Sequence, residues 1–343
     1  MKRQGIVSMV EDTPLVSIIA TFYNLERYVD RCVNSILFQK GATKYEAILI
    51  DDGSTDSTGA ILDGFATDSR VRIEHTKNSG VAAARNLGVE LARAPYVTFV
   101  DGDDYVSPYY VELLCKSQHA TGCDLIVAKH EVVKDSALFS SWKDDGDTVI
   151  LDNETALEKL MYEQVTESPW AKLGARDIYL KEPFPNGRMY EDVAVAADHY
   201  LAAGGVAALN VPVYAYVMRS GSVVHKKRAS TKQIDDFIWA SNRLTQSTLE
   251  AYPQIKDACS YRESLELMRI WSLGSTLQDS EKKKECQGMI LSRLRSLAPI
   301  VLGDMKAPLR NKIRLNLLIH VPYAYDLAFS VYELVRKGVR RLS

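Results

Sequence analysis

Between Val97 and Asp104 an apolar run ends abruptly in three carboxylates. The run is rich in β-branched and aromatic residues, which is typical of a strand buried in a parallel sheet. The acids that follow, Asp101, Asp103 and Asp104, repel one another at the end of that strand. A hard divalent cation with oxygen ligands relieves this repulsion, whereas a solvated acidic turn needs no ligand. This stretch alone leaves both interpretations open.

The composition excludes several classes of protein. The 343 residues suffice for one large domain with an appendage or for two domains. A net charge of −2 gives no reason to expect a nucleic-acid partner. The five cysteines form no CxxC pair, which argues against a disulfide framework or a zinc site and favours a reducing cytosol. No apolar stretch is long enough to predict a signal peptide or a membrane-spanning helix.

Strand and helix patterns alternate along the first part of the chain. Candidate strands are Leu15–Ala20, Ala47–Ile50, Val71–His75 and Val97–Val100. Helical patterns cover Leu25–Phe38 (capped by Asn24), Ser54–Phe65, Val81–Arg93 and a stretch opened by Pro108. This order predicts an α/β fold with a doubly wound, mostly parallel sheet. Because the strand ends then share one edge, we expect Asp51 and Asp103 to line one crevice.

The crevice lacks the usual phosphate-binding motifs. The sequence contains no GxxxxGK[ST], so a P-loop is excluded. The first strand continues into Thr21-Phe22-Tyr23-Asn24 rather than GxGxxG, which argues against a dinucleotide site. Acids stand where those folds use glycines, and this pattern favours a ligand held through a metal.

Four segments, taken together in this order, resemble the family 2 inverting glycosyltransferases. They are Val16 to Asn24, Asp51 to Asp56, Asn78-Ser79-Gly80 with Ala84-Arg85-Asn86, and Asp101 to Asp104. The family commonly has Pro where this chain has Ala20 and Ser where it has Gly102, and neither change removes a functional group. The resemblance implies a GT-A fold, a nucleotide-diphosphate sugar donor, with UDP-sugar as the first expectation, and Mg²⁺ or Mn²⁺.

By this resemblance a set of residues is expected to bind the nucleotide sugar. The set is Thr21, Tyr23, Asn24, Asp51, Asp52, Asn78, Arg85, Asp101, Gly102, Asp103, Trp170, Arg219 and His225. Asp51 and Asp52 are expected to accept from N–H groups of the base, if Ser54 or Asp56 caps the next helix instead. Asp103 is expected to coordinate the metal directly, and Asp101 to approach the ribose and the metal. Arg85 either steadies a phosphate or an acid or is an ordinary salt-bridged helix residue.

A second informative stretch lies downstream, where Trp170-Ala171-Lys172-Leu173 is followed by Glu191-Asp192. In the resembling enzymes a Trp-x-Lys-Leu segment precedes a Glu-Asp pair that supplies the catalytic base. Inversion needs a carboxylate beside the acceptor hydroxyl, and an adjacent acid tunes its pKa. We expect Asp192 to be the base and Glu191 to orient its surroundings. The alternative is that both acids cap a helix over Val193–Ala203.

The remainder of the chain predicts a second region. An edge strand is expected over Val211–Met218 because of Pro212. The basic loop from Arg219 to Arg228, with Arg219 and His225 as candidates, either closes over a diphosphate or is solvated. We place a nucleotide-sugar-binding catalytic domain at 1–225 and a helical region at 226–343. Its basic, aromatic-rich end, 305–343, suits an anionic membrane surface or packs on the core or on another subunit of a homo-oligomer. Pro322 is expected to break it.

Together these features predict an inverting, hexosyltransferase-like enzyme that acts on a glycan, lipid-linked or teichoic-acid-type acceptor. The resemblance implies a cytoplasmic setting, peripheral at the inner face of the cell membrane. Two alternatives stay open. One is a sugar nucleotidyltransferase, although its Gly-rich basic loop after the first strand is missing. The other is a catalytically silent binding subunit, against which the four acids Asp101, Asp103, Glu191 and Asp192 argue.

Overall fold

The computed structural model describes residues 13–135, 137–219, 229–323 and 325. The chain divides into two compact units, Met1–Ser222 and Val223–Ser343. The predicted domain boundary after residue 225 falls among residues outside the described ranges, so the assignment of catalysis to 1–225 stays a prediction.

The first unit is a nine-stranded sheet with helices. Its strands are β1 Val16–Phe22, β2 Tyr45–Asp51, β3 Val71–His75, β4 Tyr96–Asp101, β5 Tyr105–Val106, β6 Leu125–Lys134, β7 Thr148–Leu151, β8 Lys172–Ala175 and β9 Val206–Met218. Its helices are α1 Val29–Leu37, α2 Thr58–Asp63, α3 Val81–Leu91, α4 Tyr110–Thr121, α5 Asn153–Met161, α6 Arg176–Lys181 and α7 Glu191–Ala202. Strands and helices alternate over the first hundred residues, as the sequence predicts.

The sheet runs in the order β3-β2-β1-β4-β8-β6-β9-β5, with β7 paired to β9. The four strands at one end are parallel to one another, and β6 is parallel to β9. This confirms the doubly wound, mostly parallel α/β architecture. In β1, Phe22 lies opposite Asp51 and Thr21 lies opposite Asp101. The carboxyl ends of β2, β1 and β4 are therefore level, and the acids that follow them share one edge.

The predicted edge strand over Val211–Met218 is wrong. The strand β9 begins at Val206 and is paired with β6 on one side and with β5 and β7 on the other. Pro212 stands opposite Lys129, where the register between β6 and β9 shifts. Because proline lacks an N–H, an interior strand tolerates it at such an irregularity.

Two predicted helix starts are also wrong. Helix α1 begins at Val29, and its N-cap is Tyr28 rather than Asn24. Asn24 instead adopts a left-handed conformation with φ of 52° and accepts a hydrogen bond from the backbone N–H of Thr55 at 2.8 Å. Pro108 precedes α4 by two residues instead of opening it. In both places the residue belongs to the turn that precedes the helix and is not part of the helix.

The parallel strands form the centre of the hydrophobic core. Ile18, Ile48 and Phe99 are among the residues of β1, β2 and β4 that solvent does not reach. Helix α3 packs so closely on β1 that a Cβ on Gly88 would stand 2.3 Å from the side chain of Ile19. The edge that carries the acids is thus built on rigid, fully buried strands.

The second unit is helical as far as the structure describes it. It contains α8 Thr231–Ala251, α9 Lys256–Gly274, α10 Ser280–Gly303 and α11 Leu309–His320. Helix α11 ends two residues before Pro322, which agrees with the predicted break. Of the basic end 305–343, residues 326–343 lie outside the described ranges. Among the described residues no helix is long and apolar enough to cross a membrane.

Candidate active site

Three acids follow β4, and the most deeply buried one is structural. Asp104 is 1% exposed, and its two carboxylate oxygens accept from the hydroxyl of Tyr214 at 2.6 Å and the backbone N–H of Val217 at 2.7 Å. Burial, with Asp103 and Asp101 nearby, raises the pKa of Asp104 well above its ordinary value. Tyr214 also accepts from the backbone N–H of Asp101 at 3.1 Å. Asp104 therefore fastens the acidic turn to β9.

The other two acids are less buried and each contacts an arginine. Oδ1 of Asp101 accepts from Arg85 at 2.8 Å, and the carboxylate of Asp103 forms an ion pair with Arg219. Burial and the neighbouring charge of Asp101 raise the pKa of Asp103. Two nearby carboxylates whose negative charges repel each other are a set of oxygen ligands that suits Mg²⁺ or Mn²⁺.

Those two acids fit a metal that the substrate helps to hold. In the described parts of the chain, no group of three or more His, Cys, Asp or Glu side chains converges closely enough to hold a metal. Mg²⁺ is often bound through one or two carboxylates, with substrate phosphates and water completing its shell. Asp101 and Asp103 match that pattern, and they do not match an all-protein cage.

Gly102, between the two acids, is required by close packing. A Cβ at this position would stand 2.4 Å from Cδ1 of Phe22 and 2.7 Å from the carbonyl oxygen of Thr21. The backbone N–H of Gly102 donates to that same oxygen at 3.0 Å. The serine that the resembling family commonly has here would need Phe22 to move, so this exchange is not neutral in this chain.

Arg85 joins the acids of β4 to the predicted catalytic pair. Its guanidinium donates through Nη2 to Asp101 at 2.8 Å and through Nη1 to Glu191 at 2.6 Å, and the side chain is almost fully buried. Burial alone would lower the pKa of Arg85, but Asp101 and Glu191 outweigh it and raise the pKa. The arginine is thus more than an ordinary surface residue of α3. It brings the first turn of α7 to the tip of β4.

The geometry of α7 separates the roles of Glu191 and Asp192. Tyr190, just before them, adopts a left-handed backbone with φ of 60°, a conformation that costs energy in a residue with a side chain. Glu191 points to Arg85, while Oδ1 of Asp192 accepts from the backbone N–H of Val193 at 2.9 Å. Burial and the charge of Glu191 raise the pKa of the half-buried Asp192 to about 7. A carboxyl with that pKa suits a general base near neutral pH.

The acids after β2 are held by the loops around them. Asp51 accepts from Ser54 N–H at 3.0 Å and from His75 at 2.9 Å, and these bonds outweigh burial and lower its pKa. Asp52 accepts from the backbone N–H groups of Ser79 and Gly80, both at 2.8 Å. We expected Asp51 and Asp52 to be free for a ligand because Ser54 or Asp56 would cap the next helix. That expectation is wrong, since both carboxylates already accept hydrogen bonds from the protein. Both shape the end of the crevice, and their contact with a base stays a prediction.

The remaining predicted residues are placed unevenly. Thr21 is buried at the end of β1, whereas Tyr23, Asn24 and Asn78 are exposed on the loops of the same edge. Trp170 is 7% exposed and stacks on Tyr214, with ring centroids 4.7 Å apart. Trp170 therefore packs against the tyrosine that holds the acidic turn. His225 lies outside the described residues.

Sequence reasoning misses several residues that the fold brings to this edge. Tyr214 holds both Asp104 and Asp101. His75 links Asp51 to Asp63 through its two ring nitrogens. Lys172 is buried with its ammonium over the ring of Tyr200, and burial lowers its pKa to about 7. Of these, His75 ends a predicted strand beside the acids and Lys172 stands in the Trp-x-Lys-Leu segment, so both carried a usable signal, whereas Tyr214 carried none.

Comparison with known proteins identifies the class. Residues 17–181 match the model of the family described as Glycosyl transferase family 2. The crystal structure of residues 1–349 of S. aureus TarS in complex with UDP-GlcNAc superposes with a TM-score of 0.65 at 21% identity, covering 94% of this chain and 92% of that one. That likeness shows the GT-A fold with its helical C-terminal region.

Curated relatives agree with this class. Glycosyltransferase GlyG of Streptococcus pneumoniae is 29% identical over 278 residues, which are 75% of this chain and 90% of the relative. Glycosyltransferase GlyA of the same organism is 31% identical over 79% of this chain, but the match spans only 40% of GlyA. Residues 17–181 of the chain therefore belong to the family 2 glycosyltransferases.

Proposed function

We propose that this chain transfers a sugar from a nucleotide-diphosphate sugar, UDP-sugar in the first instance, to a hydroxyl of a glycan, lipid-linked or teichoic-acid-type acceptor. The observation that carries the proposal is the bridge of Arg85 between Asp101 and Glu191. It fixes a carboxyl with a pKa near neutrality, that of Asp192, beside the pair of acids that suits a metal. The UDP-GlcNAc complex of TarS supports the choice of donor.

In this proposal each residue has a defined task. Asp192 accepts the proton of the acceptor hydroxyl while the oxygen of that hydroxyl attacks the anomeric carbon. This attack inverts the configuration at the anomeric carbon. Glu191 and Arg85 hold Asp192 in place. Asp101 and Asp103 would hold Mg²⁺ or Mn²⁺, which would supply positive charge for the leaving diphosphate. Asp51 and Asp52, with the exposed loops of Tyr23, Asn24 and Asn78, receive the base and ribose, and Arg219 faces the diphosphate.

A panel of sugar nucleotides tests the proposal. The full chain is incubated with each donor, Mn²⁺ and candidate acceptors, and release of nucleotide diphosphate is followed together with the anomeric configuration of the product by NMR. Release of nucleoside diphosphate with an inverted product is expected. Release of pyrophosphate from a nucleoside triphosphate would indicate a sugar nucleotidyltransferase instead. Binding of donors without any turnover would indicate a silent binding subunit.

The second unit supports a peripheral position at the inner face of the membrane. Large apolar side chains near its described end are exposed, among them Met305, Leu309, Ile313 and Tyr323, with fractions from 59% to 97%. Lys306 and Arg310 are exposed in the same stretch. Exposed apolar residues interspersed with cations suit an anionic lipid surface, and a face between subunits is the alternative outcome.

A further inference from the structure

An open cleft of about 450 Å³ lies where the chain leaves β1 and enters α1. It is lined by Arg27, Tyr28, Arg31 and Asp135. None of these residues belongs to the set assigned above to donor or base. Two guanidinium groups and one carboxylate give the lining an excess of positive charge, and guanidinium forks match phosphate and carboxylate oxygens.

Arg31 is fixed in place and still lacks an acceptor for one donor. Its Nη2 donates to the backbone carbonyl of Asp103 at 2.8 Å, and its guanidinium lies 5.4 Å from the ring centroid of Tyr28 and 5.1 Å from that of Tyr105. Its buried Nε finds no hydrogen-bond partner among the described residues. Because protein atoms cover this Nε, a ligand in the cleft can reach only the other nitrogens of the half-buried Arg31 guanidinium.

The other charged residues of the cleft leave room for such a ligand. Arg27 is exposed, and no ion pair or hydrogen bond engages it in the part of the chain that the structure describes. Asp135 is engaged by the hydroxyl of Tyr28 at 2.8 Å, which partly satisfies its charge. The cations thus outnumber the one acid, and that acid already has a partner.

The cleft adjoins the reaction centre through its walls. The ring of Tyr28 is contacted by both Arg31 and Arg219, and the guanidinium of Arg219 is 5.6 Å from the centroid of that ring. Arg219 in turn pairs with the carboxylate of Asp103, whose carbonyl receives Arg31. A ligand in the cleft is therefore separated from the metal-binding acids by one layer of side chains.

We propose that this cleft binds an anionic group, a phosphodiester or a carboxylate, of the acceptor chain. The inference rests on the proposed function, because it treats the ligand as the acceptor of that reaction. The volume exceeds what one anionic group needs, so it also receives the atoms on either side of that group. A neutral acceptor gains nothing from the two arginines. The donor's own diphosphate is the competing source of the same chemistry.

Calorimetry on the full chain separates these sources. The probes are a poly(glycerol phosphate) oligomer, a glucuronate-containing oligosaccharide, and UDP with Mn²⁺. The variant Arg27→Gln removes an exposed charge with little risk to folding, and Arg31→Lys keeps the charge while replacing the guanidinium fork by a single ammonium group. Arg72→Gln, at an exposed arginine of β3, is the matched control.

We expect Arg27→Gln and Arg31→Lys each to weaken one anionic oligomer by about tenfold, with UDP affinity and the control unchanged. The oligomer that responds identifies phosphate or carboxylate. An equal loss of UDP affinity would assign the cleft to the donor, and unchanged affinity for both oligomers would show that it holds no anionic acceptor; either result overturns the proposal. These readouts need no turnover, so they are independent of the donor panel that tests the proposed function.

Discussion

Nη1 of Arg85 donates to Oε1 of Glu191 across 2.6 Å, although 106 positions separate the two residues in the chain. The same guanidinium contacts Asp101, so helix α7 is tied to the end of β4 through one buried side chain. Around this contact lie the acid pair that suits a metal and the carboxyl that suits a base. Its loss is expected to affect both stability and turnover.

Replacing Arg85 by Met should destabilise the protein strongly, because Glu191 and Asp101 would keep buried charge without a partner. Breaking a buried ion pair from one side costs about 3–5 kcal/mol, and urea unfolding measures that loss. Arg72→Met, which breaks the more exposed pair with Glu74, is the control and should cost about 0–1 kcal/mol. Equal effects of the two substitutions would contradict the central role of Arg85.

Replacing Asp192 by Asn should lower turnover by roughly two to four orders of magnitude, the range for loss of a general base, and leave donor affinity intact. Since only the deprotonated carboxyl accepts a proton, the rate in the unchanged protein should rise with pH and level off above the pKa of about 7. Initial rates between pH 5 and 9, together with donor calorimetry, check both parts.

The control for this prediction is Asp177→Asn, an exposed acid in the first turn of α6. It should change neither the rate nor the pH profile. Retained transfer by Asp192→Asn would exclude Asp192 as the base, and a profile without a rise near neutrality would exclude the role assigned to its raised pKa.

Metal dependence should follow Asp103. Donor affinity in the full chain should fall when a chelator removes divalent ions, because the diphosphate then loses its counter-charge. Asp103→Asn should reproduce that loss in the presence of Mn²⁺, while Asp144→Asn in an exposed loop should not. Calorimetry with UDP measures all four conditions. Equal affinity with and without metal would rule out a metal at these acids.

His75→Ala should raise the donor KM and leave kcat unchanged, because His75 positions Asp51 and touches no reacting atom. Its hydrogen bonds to Asp51 and Asp63 raise its pKa. Its contribution to stability is therefore complete below the ordinary value of 6.5 and is lost as pH rises through the higher folded value. Asp51 behaves oppositely. Because its pKa is lowered in the folded protein, its contribution to stability is present above the ordinary value of 3.8 and is lost as the pH falls through the lower folded value.

Thermal unfolding from pH 5 to 9 checks the sign of the His75 effect. The difference between the unchanged protein and His75→Ala should shrink as pH rises. His119→Ala, at an exposed histidine in the last turn of α4, is the control. A difference that grows with pH would contradict the assigned protonation of His75.

Membrane binding should depend on the exposed apolar residues of the second unit. The triple variant Met305→Ser, Leu309→Ser and Ile313→Ser should no longer co-sediment with anionic vesicles. The full chain should bind them and be released by salt, since each cation near the surface contributes about 1 kcal/mol. Val149→Ser with Ile150→Ser, on exposed positions of β7, is the control. Truncation before Lys306 should act like the triple variant. A change of oligomeric state in the triple variant, without vesicle binding by the full chain, would identify a subunit interface.

Sequence patterns predict the parallel half of the sheet well, because buried strands are apolar runs that end in polar turns. The strand over Val71–His75 is found with those bounds. The two-residue strand β5 carries too little pattern to be recognised. Strand β9 is misplaced because pairing on both its sides depends on residues far away in sequence.

The site is predictable only in part for the same reason. Acids at strand ends can be found from local pattern, and the structure places Asp51 and Asp101 at one edge. Local pattern contains nothing about which cation meets which acid. The bridge of Arg85, the hold of Tyr214 on Asp104 and the orphan Nε of Arg31 arise from tertiary packing alone.

Strand β9 has a consequence for the order of assembly during synthesis. Tyr214, Val217 and Arg219 contact the acidic turn across 110, 113 and 116 positions of chain. A nascent chain that ends before these residues has β4 and its three acids but lacks these partners of the Asp103 and Asp104 carboxylates. Contacts between residues so distant in sequence have a high entropic cost of loop closure, and they form slowly. We therefore expect the acidic turn to leave the ribosome without these partners, and the candidate site to be complete only when the last strand of the sheet has emerged.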